Sequence, residues 1–192
     1  MSRKVFISYS HKDEIHKEAL DEHLSMLKQN HIIDTWHDRR IIAGQNWSEE
    51  ISENLEQSDL ILLLVSPSFL ASDYCFNVEM KRAIEMHKEG KARLIPIVIR
   101  PCDWGSGGLS DFQAVPKDAK AITSWGNHDE AWLDAINGIK GHLAHFKPVM
   151  STFPVKVKNN IIQVSNATLN WIEDTEVLLT QGIVDPDFRT MI

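Results

Sequence analysis

Short apolar runs alternate with amphipathic segments from residue 5 to residue 143 of the chain. The runs lack a helical period and are rich in aliphatic and aromatic residues, which predicts strands of a sheet that is covered on both faces. They lie at positions 5–9, 31–36, 59–65 and 94–99, with a weaker fifth run at 118–123. In the segments between the runs, apolar residues recur three or four positions apart, which predicts helices packed on the sheet. These helices carry Ile15 to Leu27, with Ser10 as a candidate N-cap, then Trp47 to Leu55, Glu79 to Met86 and Trp132 to Leu143.

The order of these elements predicts the fold class. Strands that alternate with helices of this length form parallel βαβ units with right-handed crossovers. The five runs fit an α/β, flavodoxin-like three-layer sandwich whose five-stranded parallel sheet has the order 2-1-3-4-5. Pro96 has no N–H to give to a sheet, so we expect a bulge or an unpaired edge in the fourth strand. Ligands of such sheets bind outside the carboxyl ends of the strands, here at positions 8–12, 37–44, 66–75 and 100–108.

A different pattern begins after Phe146, so we expect a main domain at residues 1–146 and a C-terminal extension at residues 147–192. In the extension, Phe153, Val155 and Val157 alternate with polar residues and precede Asn159-Asn160 and a second apolar run at 161–164, which predicts a β-hairpin. A helix that begins near Asn166 is expected to carry Leu169, Trp171, Ile172 and Leu179. The extension either packs on the main domain or leads into a further module.

Composition and charge indicate a globular protein without nucleic-acid or membrane partners. The chain is 43% hydrophobic and 24% charged, with a net charge of -7 and a pI near 5.7. An acidic surface repels nucleic acids and anionic lipids, and the longest apolar stretch, Leu60–Val65, is far shorter than the ~20 residues of a membrane span.

The cysteines, the histidines and the first residues predict the compartment and the absence of a metal site. Cys75 and Cys102 have no CxxC spacing, and the histidines form no pair with metal-ligand spacing, so we expect neither a disulfide framework nor a metal site. The apolar run at Val5–Ile7 is too short for a secretion signal. We therefore expect a protein of the reducing cytoplasm.

Several common functions of this fold are excluded by the residues that follow the strands. A phosphoacceptor receiver needs acidic residues after the first strand and an aspartate at the end of the third, where this chain has Ser8-Tyr9 and Ser66. A flavin carrier needs a phosphate loop rich in glycine, serine or threonine, whereas this chain has His11-Lys12-Asp13-Glu14. The chain contains no GxGxxG after a strand, no GxxxxGK[ST] and no GxSxG, which excludes a Rossmann site, a P-loop and a hydrolase nucleophile elbow.

Three ordered segments resemble a known family. They are VFISYSHKDE at the first strand, WHDRRIIAGQNW after the second and LILLLVSPSFLASDYCFNVEM at and after the third. Over residues 3–146 the chain resembles the Toll/interleukin-1 receptor (TIR) domain family, most closely its prokaryotic NAD-consuming branch, which is used in anti-phage defence. The resemblance implies an NAD⁺ glycohydrolase that releases nicotinamide with ADP-ribose or a cyclic ADP-ribose isomer. The alternative within the family is a non-catalytic TIR–TIR interaction module. A weaker third possibility is glycosyl transfer on nucleosides, because related folds bind nucleosides with a similarly placed glutamate.

The resemblance also implies roles for particular residues. Glu79, on the third helix, corresponds to the catalytic glutamate. Substrate-binding positions are implied for residues that follow the strands and precede this glutamate: Ser8, Tyr9, Ser10, His11, Asp38, Arg39, Ser66, Tyr74 and Cys75. The family's frequent tryptophan, four residues before the glutamate, is Cys75 here, so we expect the adjacent Tyr74 to supply the stacking face. The implied partners are NAD⁺, as a substrate and not a cofactor, and a second copy of the domain, whose site the loop through Gly44 would cover.

Elementary chemistry agrees with a site that has one carboxylate. Loss of nicotinamide leaves positive charge on the ribose, as in glycoside hydrolysis. A carboxylate sheltered from water stabilises such a charge strongly. Because nicotinamide is already a cationic leaving group in NAD⁺, no second carboxyl group is needed as an acid.

Overall fold

A four-stranded parallel sheet forms the centre of the main domain in this computed structural model, which describes residues 2–41, 46–144, 152–157 and 160–165. The strands are β1 (Arg3–Ser8), β2 (Ile33–Trp36), β3 (Leu60–Val65) and β4 (Arg93–Val98), in the order β2-β1-β3-β4. Every residue of β3 is buried, as expected for a parallel strand that is covered on both faces.

Helices cover both faces of this sheet, which gives the predicted three-layer α/β arrangement. The helices are α1 (Glu14–His23), α2 (Ser25–Gln29), α3 (Trp47–Glu56), α4 (Pro67–Leu70), α5 (Lys81–Lys88) and α6 (His128–Ala144). One face of the sheet packs against Leu20 of α1 with Trp132 and Ile136 of α6. The other face packs against Ile51 of α3 and Ala83 of α5. The predicted first helix is divided in two at Leu24, which lies between α1 and α2.

Short helical turns complete the main domain. Turns of 3-10 helix lie at His11–Asp13, Asp38–Arg40, Gly105–Gly107, Lys117–Ala119 and Ile122–Ser124, and a π-helical turn at Cys75–Met80 leads directly into α5. Ser10 was predicted as an N-cap, but it precedes a 3-10 turn and its side chain makes no capping hydrogen bond. Asn46, in contrast, caps α3 by accepting a hydrogen bond from the backbone N–H of Ser48 at 3.2 Å.

The prediction of a fifth strand at residues 118–123 is wrong. The chain does run beside β4, where Val115 forms a single parallel bridge with Ile97. Beyond Pro116, however, Asp118 and Ala119 have φ angles of 60° and 52°, and the segment folds into two 3-10 turns. An extended ladder cannot continue through left-handed residues, so the sheet ends at β4.

The expectation of a bulge or an unpaired edge at Pro96 is confirmed in part: β4 is the last strand of the sheet, but its edge is not unpaired, because Val115 forms a bridge with Ile97. The backbone N–H of Val98 donates to Val115, and the carbonyl of Pro96 accepts from Val115. The backbone polar groups at positions 96 and 98 therefore point away from β3. The N–H that proline lacks would have pointed away from β3, where the ladder does not need it.

The chain divides into two units, Met1–Phe146 and Lys147–Ile192. In the second unit, β5 (Thr152–Val157) and β6 (Asn160–Ser165) pair antiparallel with Val157 opposite Asn160, in the segment for which the sequence predicts a β-hairpin. The helix predicted from Asn166, with Leu169, Trp171, Ile172 and Leu179, lies outside the described residues, as does the turn at Gly44.

Candidate functional site

A cavity of about 370 Å³ opens where the carboxyl end of β1 meets the segments that follow β2 and β3. This is the edge of the sheet at which open α/β folds bind their ligands, and the volume is within the range of small-molecule sites. Its walls consist of the end of β1 and the following turn, the first residue of the turn after β2, and residues from α4 to the π-helical turn: Phe6, Ile7, Ser8, Tyr9, Ser10, His11, Lys12, Asp38, Ser68, Ala71, Ser72, Tyr74, Cys75 and Glu79.

Glu79 lies on the π-helical turn and forms part of the cavity wall, although it is only 6% exposed. The hydroxyl of Ser8, at the end of β1, donates a hydrogen bond to its Oε2. Burial raises the pKa of Glu79 from its ordinary value of 4.5 to about 7, the hydrogen bond from Ser8 opposes that rise, and the negative charge of Asp38 adds to it. The cavity therefore contains a carboxyl group that ionises near neutral pH.

Asp38 and His11 form a second polar group in the cavity. Asp38 is the first residue of the turn after β2, and its Oδ2 is hydrogen-bonded to Nε2 of His11 from the turn after β1. The Asp38 side chain is 14% exposed and the His11 side chain 56%, so the aspartate is the inner member of the pair. Within the described part of the chain, the other oxygen of Asp38, Oδ1, is buried without a hydrogen-bond partner.

Tyr9, Tyr74 and Cys75 also line the cavity. The hydroxyl of Tyr9 donates to Oε2 of Glu14 at 3.0 Å, and burial is the main cause that raises the pKa of this phenol. The Cys75 thiol donates to the backbone carbonyl of Tyr9 at 3.5 Å, and burial raises its pKa to about 11, so it is a poor nucleophile at neutral pH. Tyr74 lies on the cavity wall beside Cys75, where the family's tryptophan would be expected.

The structure brings eight of the ten predicted site residues together and places two elsewhere. Arg39 is 55% exposed and donates to Oε2 of Glu14 at 3.1 Å, on the surface of α1. Ser66 is fully buried behind the cavity, where its hydroxyl caps α4 at the N–H of Phe69 and donates to Asp13. Both side chains therefore order the segments that surround the cavity.

An ion pair between the buried Asp13 and the partly exposed Arg100 was not predicted. Asp13 is 1% exposed, and its Oδ1 lies 2.9 Å from Nη2 of Arg100, which follows β4. The same Nη2 donates to Ser68 of α4 at 2.6 Å, so the ends of β1, β3 and β4 are joined. Asp13 follows β1 and Arg100 follows β4, the two strands that flank β3, and these opposite charges at one edge of the sheet were the available signal. The cavity-lining Lys12, Ser68 and Ser72 lie within the segments singled out after β1 and β3, yet no single feature of the sequence distinguished them.

Two features are absent from the part of the chain that the structure describes. In the described ranges no three His, Cys, Asp or Glu side chains are grouped so that they would hold a metal ion. None of the helices in the described part of the chain is both long enough and apolar enough to cross a membrane. The arrangement suits a reaction that needs a sheltered carboxylate to stabilise positive charge, with an imidazole nearby.

Comparisons with known proteins identify the family. A family model described as TIR domain matches residues 5–137. An uncharacterised protein of Sinorhizobium fredii, y4lF, is 48% identical over 136 residues, which are 71% of this chain and 42% of that protein, so the chain spans less than half the length of this relative. The solved TIR domain of the Toll-related receptor TRR-2 from Hydra magnipapillata is 19% identical, with a TM-score of 0.52, and the match covers 72% of this chain and 99% of that one. The structural similarity supports the fold alone, and the family model establishes that the chain belongs to the TIR domain family.

Proposed function

We propose that this TIR domain is an NAD⁺ glycohydrolase that breaks the nicotinamide–ribose bond, with Glu79 as the catalytic carboxylate. The observation that carries the proposal is the position of Glu79, buried on a cavity wall at the carboxyl edge of the sheet. An ordinary helix glutamate is exposed to water, since burial of an unpaired carboxylate is costly.

The substrate would supply a positive charge to pair with the buried carboxylate of Glu79. The nicotinamide ring of NAD⁺ carries a positive charge, and an opposite charge nearby favours the ionised carboxylate. When the glycosidic bond breaks, the positive charge moves from the ring to the ribose. A carboxylate within the cavity stabilises this charge without any proton transfer to the leaving group. Ser8 would hold the carboxylate in place through its hydrogen bond to Oε2.

The competing proposal is a non-catalytic module for TIR–TIR interaction. It predicts a Glu79 that is paired away from any cleft and a pocket too narrow for a nucleotide. The position of Glu79 on the wall of a cavity of about 370 Å³ favours the enzyme instead. A nucleoside glycosyl-transferase would use the same carboxyl group, and a screen of nucleosides as substrates separates it from the first proposal.

The wider role is also part of the proposal. We expect the domain to act in the cytoplasm, to become active through self-association, and to release ADP-ribose or a cyclic isomer in a bacterial response to phage.

The test measures NAD⁺ loss and nicotinamide release at high protein concentration. Wild type should consume NAD⁺, and Glu79→Gln and Glu79→Ala should not. Glu53→Gln, an exposed glutamate of α3, is the matched control and should remain active. Equal consumption by wild type and Glu79→Gln would refute a catalytic role for Glu79, and the absence of turnover in assembled wild type would favour the interaction module.

A further inference from the structure

His11 pairs with Asp38 in the same cavity as Glu79. This pair is placed to act in the step that follows bond cleavage, the attack of water on the ribose. From the geometry, we propose that His11 is the general base that takes the proton of the attacking water, and that Asp38 is the residue that positions it. The inference rests on the proposed glycohydrolase activity, to which it adds a catalytic residue.

The hydrogen bond between the two side chains fixes which imidazole nitrogen is free. An ionised carboxylate can only accept hydrogen bonds, so Nε2 of His11 must carry the proton that it shares with Oδ2 of Asp38. In a neutral imidazole the proton-free nitrogen is then Nδ1. Among the described residues Nδ1 makes no hydrogen bond, so its lone pair is available to a water molecule. This is the arrangement of a base that is oriented by a carboxylate.

The different exposure of the two side chains agrees with His11 as the base and Asp38 as the residue that positions it. Asp38 is mostly buried, which keeps its carboxylate in one place, whereas the imidazole is 56% exposed. A half-exposed imidazole on the cavity wall can meet water that enters the site and can pass a proton on to bulk solvent. The two residues come from turns after different strands, so their pairing also joins two walls of the cavity.

His11 and Glu79 share one cavity, so a ribose bound there could meet both side chains. Both line the cavity, and a positive charge on His11 favours the ionised form of Glu79. Glu79 would stabilise the cationic ribose after bond cleavage, while His11 would activate the water that attacks it.

The proposed step balances as follows. The bond between C1′ and the pyridine nitrogen breaks, and its electron pair leaves with neutral nicotinamide. The oxygen of water forms a bond to C1′, and one proton of that water passes to Nδ1 of His11 and then to solvent. The sum is NAD⁺ and water giving ADP-ribose, nicotinamide and one proton.

The test exploits the competition between water and nicotinamide for the cationic ribose. When nicotinamide attacks, NAD⁺ forms again without any proton transfer, so this return needs no base. Labelled nicotinamide incorporated into NAD⁺ therefore measures return, and linear ADP-ribose measures hydrolysis. In His11→Ala we expect hydrolysis to fall by about 10²-fold, a typical contribution of general base catalysis, while incorporation continues.

Two additions make the experiment specific. Azide attacks without losing a proton, so it should restore transfer in His11→Ala, with azido-ADP-ribose as the product. Asp38→Asn should lower the ratio of hydrolysis to incorporation with the imidazole still present, because a carboxamide can donate to Nε2 and move the ring proton to Nδ1. His23→Ala is the matched control, since His23 pairs with Asp129 at 3.5 Å and does not line the cavity.

The outcomes separate the inference from the proposed function. An unchanged ratio in His11→Ala, or an equal loss of hydrolysis and incorporation, would overturn the inference and leave the glycohydrolase intact. A wild type that makes no linear ADP-ribose while it consumes NAD⁺ would also overturn the inference alone. A wild type that neither consumes NAD⁺ nor incorporates labelled nicotinamide would overturn both.

Discussion

The buried carboxyl of Glu79 should make the folded protein less stable than its neutral variant at high pH. In the folded protein the pKa of Glu79 is about 7, against an ordinary value of 4.5. A group whose pKa is raised by folding contributes stability that is present below pH 4.5 and is lost as the pH rises through about 7. Each pH unit of such a difference corresponds to about 1.4 kcal/mol, so ionisation of Glu79 costs about 3 kcal/mol of folding free energy.

Glu79→Gln removes this cost and keeps an oxygen that accepts the hydrogen bond from Ser8. Above pH 7.5 the variant should therefore be more stable than wild type by about 3 kcal/mol, while the two should converge near pH 4.5. For a protein of this length, that gain raises the unfolding midpoint temperature by roughly 6–12 °C.

The measurement is thermal unfolding of wild type and Glu79→Gln at half-unit intervals between pH 4.5 and pH 8.5. Glu53→Gln, on the exposed side of α3, should follow wild type at every pH. A stabilisation of Glu79→Gln that is the same at all pH values would show that ionisation is not its cause. If Glu79→Gln is no more stable than wild type at pH 8, ionisation of the buried Glu79 does not cost folding free energy, and the reasoning is refuted.

Three further predictions concern activity and the residues packed outside the cavity walls. The kcat/KM for NAD⁺ should fall about tenfold for each pH unit below 7, because only the ionised form of Glu79 stabilises a cation. Arg100→Ala leaves Asp13 buried without its cation, so urea denaturation should show a free energy of unfolding that is lower by about 2 kcal/mol. The loss is smaller than for a fully buried pair because the Arg100 side chain is 35% exposed. Gly107→Ala would place a Cβ 3.0 Å from the ring of Phe76 on the π-helical turn, so we expect a loss of about 1 kcal/mol in stability together with lower NAD⁺ turnover.

Each of these predictions has its own control. A flat rate profile between pH 5 and pH 8 would contradict an essential ionisation in that range. Arg100→Lys keeps a cation near Asp13 and should recover part of the stability, and no recovery would indicate that hydrogen-bond geometry matters more than charge. Gly126→Ala introduces a Cβ with no atom within 4 Å, so it should change neither stability nor turnover.

The layers of the fold could be predicted from the sequence because they depend on local pattern. The continuous apolar run at 60–65 predicted a strand covered on both faces, and β3 is fully buried. The missing N–H of Pro96 likewise indicated an edge, which is a property of one residue. The fifth strand failed because the run at 118–123 has strand-like composition, while its conformation is set by two left-handed residues that composition does not reveal.

Much less of the candidate site followed from local pattern. Glu79 and its neighbours were placed by resemblance to a family, since the spacing of apolar residues gives no reason to bury a glutamate. Arg39 and Ser66 stand near the cavity in sequence, but their side chains are directed to Glu14 and Asp13. The pairing of His11 with Asp38 joins turns that follow two different strands, and only the tertiary structure reveals which residues of such turns meet.

The two edges of the sheet bear on how copies of this unit can associate. At one edge β2 is only four residues long and carries the exposed Asp34. At the other edge β4 lacks the N–H of Pro96 and is partly covered by Val115. Short, charged or proline-containing edges resist the addition of a further strand from another chain. Contacts between copies of this unit would therefore be made by helices and loops, and separation of the copies would break no backbone ladder.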